Sequence, residues 1–322
     1  MTTRTRLLIT ALAALLLGSL AVGYTALSAE PEDGATSTPA TGTTGGDRIH
    51  VLSNGKLSSV ARSDPGGPRE ITDQKCDRAY AAAGTISCLR PAGALKAARL
   101  SVLDAGLHER RTIPLIGFPN RTRVSPSGRM IGWTLFVDGH SYAANGFSTS
   151  TGILDTATGT TVMSLEEFTP YVDGKPYQAA DLNFWGVTFT ADDNLFYATM
   201  ATAGHRYLTR GDFAARTITA LIDNVECPSL SPDDTRIAYK AAVDGDPQKG
   251  WRVSVMDLAT RKITPLAETR SVDDQPTWLD NRTIAYALQR PDGANDTWST
   301  PADGSGTPTL LIPEANSPSP AT

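Results

Sequence analysis

One short phrase recurs along this chain and limits the folds open to it more than any other feature. It is clearest at Leu230–Lys240, LSPDDTRIAYK, where an apolar residue precedes Ser-Pro-Asp-Asp and an apolar run ends in tyrosine. Pro232 restricts φ, and the side chains of Asp233 and Asp234 can cap their own backbone amides. The phrase therefore predicts a tight turn followed by a short, packed strand.

The same pattern recurs with different residues in four further places. They are FTADDNLFYATM at 189–200, VSPSGRMIGWTLF at 124–136, WLDNRTIAYAL at 278–288 and, more weakly, YAAAGTISCL at 80–89. Most copies are followed by two more strands joined by a tight turn, as in VMDLATRKITPL at 255–266. The repeating unit is thus four short strands in about 40–50 residues.

Repeats of this kind predict an all-β fold, a six-bladed β-propeller. Two strands at 48–53 and 56–62 precede the first complete blade. They predict either a sixth, abbreviated blade or the outer strands of a blade that closes the ring. A β-sandwich with chance similarity among its turns is the alternative, although a sandwich rarely needs five copies of one phrase. The complete blades are predicted at 76–117, 121–166, 183–222, 225–267 and 275–312.

The N-terminus carries the longest apolar run. Leu7–Leu27 has 21 residues without a charge and follows Arg4 and Arg6. A run of about 20 apolar residues matches the bilayer thickness, and the two arginines favour export of the rest of the chain. We expect a single-pass anchor in the cell membrane with the propeller outside the cytoplasm. The alternative is a signal peptide cleaved near Ala26-Leu27-Ser28, followed by secretion.

The composition divides the chain into four predicted segments. The stretch EPEDGATSTPATGTTGG at 30–46 has almost nothing apolar and predicts a flexible tether. The last residues, EANSPSPAT, predict a disordered tail. The segments are an anchor or signal at 1–28, a disordered linker at 29–47, the propeller at 48–312 and a disordered tail at 313–322.

The chain has three cysteines, and the expected export would place them in an oxidising compartment. Cys76 and Cys88 flank a plausible hairpin turn at 82–84, which places them on neighbouring antiparallel strands and predicts a disulfide. Cys227 has apolar neighbours and no nearby histidine or basic residue, so we expect it to be buried and inert.

The residues indicate binding rather than catalysis. The net charge is −5 without a basic stripe, which argues against a nucleic-acid partner. There is no G-x-S-x-G elbow, and the four histidines show no paired spacing. Acidic pairs at 192–193, 233–234 and 273–274 suit turn capping or, less readily, calcium. No cofactor is expected, and calcium is the one metal considered.

Residues near the start of the innermost strands form the candidate binding face, since those positions line one end of a propeller channel. For the aromatic members, the competing interpretation is packing between blades. The carboxylates also serve the alternative function, a hydrolase or lyase with a calcium-assisted small-molecule or glycan site at the channel mouth. The candidate residues are Asp181, Phe184, Trp185, Glu226, Asp273, Asp274 and Trp278.

The phrases LSPDDTRIAYK and WLDNRTIAYAL, with the strand pair of the type VMDLATRKITPL, resemble the blades of TolB-like six-bladed propellers over residues 48–312. A similar hairpin occurs in the propellers of prolyl-oligopeptidase-type peptidases. The cysteine pair and the anchor are similar to TolB-like proteins of high-GC Gram-positive bacteria, which are often labelled translocation proteins. Periplasmic TolB has an α/β domain ahead of its propeller, so the resemblance is carried over to the propeller alone.

Because the sequence shows a complete propeller without a catalytic constellation, we expect a scaffold that binds an envelope protein or peptide, without enzymatic activity. We expect a monomer that contacts the membrane only through its N-terminal helix.

Overall fold

The computed structural model describes residues 48–93, 96–137 and 148–320. The predicted anchor and linker lie outside these residues. No helix in the described part of the chain is long and apolar enough to span a bilayer.

The described residues form six sheets arranged as the blades of a propeller, and neighbouring strands are antiparallel except for one pair in blade 4. This confirms the predicted all-β, six-bladed fold. Blade 1 contains β1 (Arg48–Ser53), β2 (Lys56–Ala61), β3 (Glu70–Lys75) and β26 (Asn316–Pro320). Blade 2 contains β4 (Arg78–Ala82), β5 (Thr85–Arg90), β6 (Arg99–Asp104) and β7 (Glu109–Pro114). Blade 3 contains β8 (Phe118–Val124), β9 (Met130–Val137), β10 (Ser148–Asp155) and β11 (Thr161–Val162).

Blade 4 has β14 (Asn183–Phe189), β15 (Leu195–Thr202), β16 (His205–Asp212) and β17 (Thr217–Ile222), with β12 (Thr169–Val172) and β13 (Lys175–Pro176) at its outer edge. Blade 5 contains β18 (Glu226–Leu230), β19 (Arg236–Ala242), β20 (Trp251–Asp257) and β21 (Ile263–Pro265). Blade 6 contains β22 (Thr277–Asp280), β23 (Thr283–Gln289), β24 (Asn295–Pro301) and β25 (Thr309–Ile312). Short 3-10 turns lie at Leu165–Glu167, Val243–Gly245 and Pro247–Lys249.

The repeated phrase builds the hairpin between the first and second strand of a blade. In blade 4, Asp192 accepts hydrogen bonds from the backbone amides of Asn194 and Leu195, both at 2.9 Å. In blade 5, Asp233 accepts one from the Thr235 amide at 3.2 Å. The residue after each of these carboxylates has a left-handed φ, +59° at Asp193 and +57° at Asp234, which Asp adopts more readily than most residues. The predicted capping is confirmed for Asp233, whereas Asp234 accepts a hydrogen bond from the Ala191 amide of blade 4 at 3.1 Å.

The hydrophobic core lies between the blades. Phe184 and Phe196 pack in a cluster with Met130 and Ile153 of blade 3. Trp278 packs against Val255 of blade 5, where its indole N–H also donates to the Ser229 carbonyl oxygen at 2.9 Å. Each blade therefore buries its faces against its neighbours, which explains why similar units recur around the ring.

Blade 1 takes strands from both ends of the described chain. β26 pairs antiparallel with β1, with Ile49 opposite Pro320 and His50 opposite Ser319. Of the two alternatives for the first strands, the closing blade is confirmed. The prediction of a disordered tail at 313–322 is wrong for Asn316–Pro320, because these residues supply the innermost strand of that blade.

The hairpin of β12 and β13 was not predicted. β12 runs parallel to β17 and widens blade 4 to six strands. Its turn, at Asp173 and Gly174, has two left-handed φ values, +51° and +73°, so an Asp-Gly pair was the sequence signal for it.

The predicted disulfide is confirmed, but Cys76 lies between β3 and β4 and not on the strand that pairs with β5. Cys76 and Cys88 are bonded with their Cα atoms 5.4 Å apart. The Cys76 amide donates to the carbonyl oxygen of Gly55 at 2.9 Å, while Cys88 belongs to β5. The bond therefore links the closing blade to blade 2.

Candidate functional site at the channel mouth

The innermost strand of every blade is a sheet edge that borders the central channel. These strands are β26, β4, β8, β14, β18 and β22. They pack closely where they meet: Gly186 has a φ of +68°, and a Cβ atom there would lie 2.8 Å from Cα of Cys227. We call the end of the channel at which these strands begin the channel mouth.

An acidic and basic network lies on the blade 5 side of the mouth. Glu226 is 2% exposed, and its carboxylate lies 2.7 Å from Nε of Arg206 and 3.5 Å from Nζ of Lys240. Lys240 also donates to the exposed carboxylate of Asp273, and its ammonium lies 4.2 Å from the ring centre of Trp251. Burial raises the pKa of Glu226, and the two cations oppose that rise. Each carboxylate of this network thus has a cation beside it.

Three arginines lie on the innermost strands β4 and β8, and we call Arg78, Arg121 and Arg123 the arginine cluster. Arg78 Nε donates to the carbonyl oxygen of Asn120 at 2.7 Å. Arg121 donates to the carbonyl oxygens of Asn120 at 2.8 Å and, across the channel, of Asp273 at 3.0 Å. The carboxylate of Asp274 lies 3.6 Å from Nη2 of Arg121.

Arg123 also crosses the channel from blade 3 to blade 6. Its guanidinium donates to Oγ1 of Thr277 and to the carbonyl oxygen of Pro276, both at 3.0 Å. The same group lies 4.3 Å from the ring centre of Tyr80 on blade 2. The partners in these contacts are neutral, so they hold the Arg123 side chain in place without compensating its positive charge.

The pKa shifts in the cluster follow its charges. Burial lowers the pKa of Arg78 and the positive charge of Arg121 lowers it further, while the carboxylates of Asp274, Asp77 and Asp273 oppose the shift. Burial alone would lower the pKa of Arg121 as well, but Asp274 and other neighbours hold it above its ordinary value. Arg78 is therefore a cation held beside another cation in a poorly solvated place.

A cavity of about 30 Å³ lies within the arginine cluster. Its charged lining residues are the three arginines and Asp274, and Gln275 also lines it. Small-molecule sites usually enclose some 300–1,000 Å³, so this cavity admits one small functional group and no whole metabolite. Two larger grooves, of about 910 and 520 Å³, lie at the β12–β13 hairpin and at the opposite end of blade 6.

The predicted carboxylates lie near the starts of innermost strands, and all but one of them meet at the channel mouth as expected. Glu226, Asp273 and Asp274 meet at the mouth. Asp181 instead accepts hydrogen bonds from Thr202 Oγ1 and the Ala203 amide, both at 2.6 Å, and so caps the turn between β15 and β16.

The aromatic part of the predicted binding face is wrong. Phe184, Trp185 and Trp278 are 2%, 4% and 2% exposed, so their rings belong to the core and offer no surface to a partner. Packing between blades, the competing interpretation, accounts for Phe184 and Trp278.

No metal site is indicated among the residues that the structure describes, since no three histidine, cysteine or acidic side chains there are arranged so that they could hold a metal ion. Cys227 is buried, and burial raises the pKa of its thiol, which makes it a poor nucleophile.

Sequence reasoning missed the four cations Arg78, Arg121, Arg123 and Lys240. A signal for two of them was present in the sequence Arg121-Thr122-Arg123, directly before the phrase VSPSG. Alternate residues of a strand share a face, so this spacing placed both arginines on one side of an innermost strand.

No protein-family model matches the sequence, and no curated protein is similar to it in sequence. Among solved structures, TolB from Acinetobacter baumannii has a TM-score of 0.60 at 17% identity, with 88% of this chain and 68% of that chain covered. A protein assigned as TolB from Agrobacterium tumefaciens has a TM-score of 0.53 at 11% identity, covering 85% and 92%.

A chain of a nidogen–laminin complex has a TM-score of 0.57 at 9% identity, with 85% of this chain and 98% of that chain covered. At such identities the likeness shows the fold alone. The chain is a TolB-like six-bladed β-propeller in its fold.

Proposed function

We propose that the chain is a protein- or peptide-binding scaffold that receives its partner at the channel mouth. The observation that supports this proposal is the convergence of Glu226, Asp273, Asp274 and the arginine cluster at one end of the channel. Both signs of charge are present there, which favours specific docking over non-specific adhesion.

The small volume of the mouth cavity separates this proposal from the enzymatic alternative. About 30 Å³ leaves no room for a glycan or metabolite. The carboxylates that a calcium-assisted hydrolase would need are engaged by Arg121, Arg206 and Lys240. A partner's side chain or chain end fits such a place better than a substrate.

The proposal includes export and tethering to the cell membrane. The apolar run at 7–27 with its two preceding arginines supports an anchor. The disulfide between Cys76 and Cys88 supports an oxidising compartment, since such bonds rarely persist in the cytosol.

The test is affinity capture by the full chain from an envelope extract, with and without added calcium. We compare Asp273→Lys, which reverses an exposed charge at the mouth, with Asp303→Lys, which reverses an exposed charge at the opposite end of blade 6. We expect a partner whose capture changes at least about tenfold with Asp273→Lys, because this variant alters the charge balance of the mouth, and stays unchanged with Asp303→Lys.

Equal capture by both variants would refute the mouth as the docking site. Calcium-dependent stabilisation of the chain without any retained protein would favour the metal-assisted alternative instead.

A further inference from the structure

The cavity in the channel mouth contains more positive than negative charge. Three arginines line it against one carboxylate, that of Asp274. Outside this lining, Asp273 pairs with Lys240, and the carboxylate of Asp77 lies close enough to Arg78 to offset part of its charge. Because Arg121 and Arg123 are only 8% and 4% exposed, water screens this excess poorly, and burying it costs free energy.

Two donors of these arginines are unused. Nε of Arg121 and Nε of Arg123 are buried without a hydrogen-bond partner among the described residues. An unsatisfied buried donor of a charged group is among the costlier features that a fold can keep. Its retention indicates a group that is bound there part of the time.

The cluster is preorganised for an anion. Arg78 and Arg121 both donate to the carbonyl oxygen of Asn120, and Arg123 donates to Pro276 and Thr277. These neutral acceptors hold the guanidinium groups in place without neutralising them. Little side-chain entropy would be lost when an anion binds, because the arginines are already ordered.

The guanidinium group is planar and suits a carboxylate, which accepts two parallel N–H···O bonds from it. The size of the cavity limits the anion to a group of a few atoms. Arg78 is only half-buried, so the cavity is reachable from the mouth. The bordering strands are sheet edges, which suit an extended peptide segment beside the anion.

We propose that the arginine cluster binds a single carboxylate group of a peptide, supplied either by its C-terminus or by an aspartate or glutamate side chain. This deepens the proposed function, on which it rests, by naming the chemistry that the partner presents at the mouth.

The test uses small probes and the full chain. N-acetylglycine stands for a C-terminal carboxylate and N-acetylglutamic acid α-amide for an acidic side chain, while N-acetylglycinamide and N-acetylglutamine amide are their neutral controls. We expect titration calorimetry to show at least one acid binding about tenfold or more tightly than its amide. The tighter of the two acids identifies the source of the carboxylate.

Arg78→Gln should reduce this preference to less than about threefold, because it removes one of the charge-assisted donors. The matched control is Arg282→Gln, which removes an exposed arginine in the turn between β22 and β23, at the opposite end of the channel. If Arg78→Gln does not fold, the ratio of acid to amide affinity in the unaltered chain decides whether the carboxylate site exists. Arg78→Lys should then retain part of the preference for the acid.

Equal affinity for acid and amide would overturn the inference, as would equal losses in Arg78→Gln and Arg282→Gln. Displacement of the acids by the same concentration of chloride or phosphate would also overturn it, since the site would then accept any anion. The probes contain no partner protein, so a missing carboxylate preference refutes this subsite while the capture experiment still decides the proposed scaffold.

Discussion

Blade 5 and blade 1 have the same four-stranded architecture but are assembled from the sequence in different ways. Blade 5 is one continuous stretch, from β18 at Glu226 to β21 at Pro265, turned by the phrase LSPDD. Blade 1 joins β1, β2 and β3 to β26, which comes from the other end of the chain. Local turn chemistry directs the first, whereas the second forms only after the ring has brought its ends together, at a cost in loop-closure entropy.

The closing segment is fastened to three blades, which offsets that cost. In blade 1 itself, β26 pairs with β1. Thr297 Oγ1 of blade 6 donates to the carbonyl oxygen of Ala315 at 2.9 Å, and the Ala81 amide of blade 2 donates to Oγ of Ser319 at 3.1 Å. Arg69 donates to the carbonyl oxygens of Pro313 and Glu314, just ahead of the strand. The comparison predicts that damage to the closure affects blade 1 first and blade 5 last.

Removal of the closing strand should have the largest effect. A chain truncated after Pro313 loses β26 and leaves one edge of β1 unpaired, so we expect a loss of more than about 5 kcal/mol, comparable with the whole stability of many domains. Circular dichroism during thermal unfolding measures it. The control, truncated after Pro320, keeps β26 and should melt like the full chain; equal melting of the two truncated chains would show that closure is dispensable.

Breaking the link between blades 1 and 2 should have the next largest effect. Replacing Cys76 and Cys88 by serine frees a short loop, and we expect a loss of about 3 kcal/mol in urea unfolding. Hydrogen exchange should rise in β1 to β5 before it rises in β18 to β20. A reducing agent should destabilise the parent chain but leave the double variant unchanged; uniform exchange across all blades would argue against a local role in closure.

Acid should weaken the closing blade by a smaller amount. His50 of β1 is 2% exposed, and burial, aided by Arg48, lowers its pKa from 6.5 to about 4. Between these values the unfolded chain takes up a proton that the folded chain does not. The free energy of unfolding therefore falls with pH, by about 2 kcal/mol at pH 5 relative to neutral pH. Below pH 4 His50 is protonated in the folded chain as well, so it lowers the free energy of unfolding no further.

The variant His50→Gln isolates this effect from the many carboxylates that also titrate. The difference in unfolding free energy between the parent chain and the variant should change by that amount between pH 7 and pH 5. A constant difference would mean that the pKa of His50 is the same in the folded and the unfolded chain.

Much of the ring was predictable because its signals are local. The left-handed residues Asp193 and Asp234 follow capping aspartates, and Cys76 and Cys88 flank a short turn. The convergence of Glu226, Asp273 and Asp274 followed from their place at strand starts. These predictions needed only the repeat and its register.

The strand at Asn316–Pro320 was missed because its residues, NSPSP, have the composition of a tail. Pro and Ser are tolerated in it because an innermost strand has one edge facing the channel, where no ladder hydrogen bond is required. Trp185 was mistaken for a rim residue for the related reason that a strand start can face either the channel or the next blade.

The sequence by itself determined the blades, since turn residues, strand alternation and the cysteine spacing act over a few residues. Only the tertiary structure decided which strand closes the ring and which charges meet in the channel. Arg121 and Asp273 are 152 positions apart, and no local preference relates them. Their encounter depends on ring closure, and so does the positive excess on which the proposed carboxylate site rests.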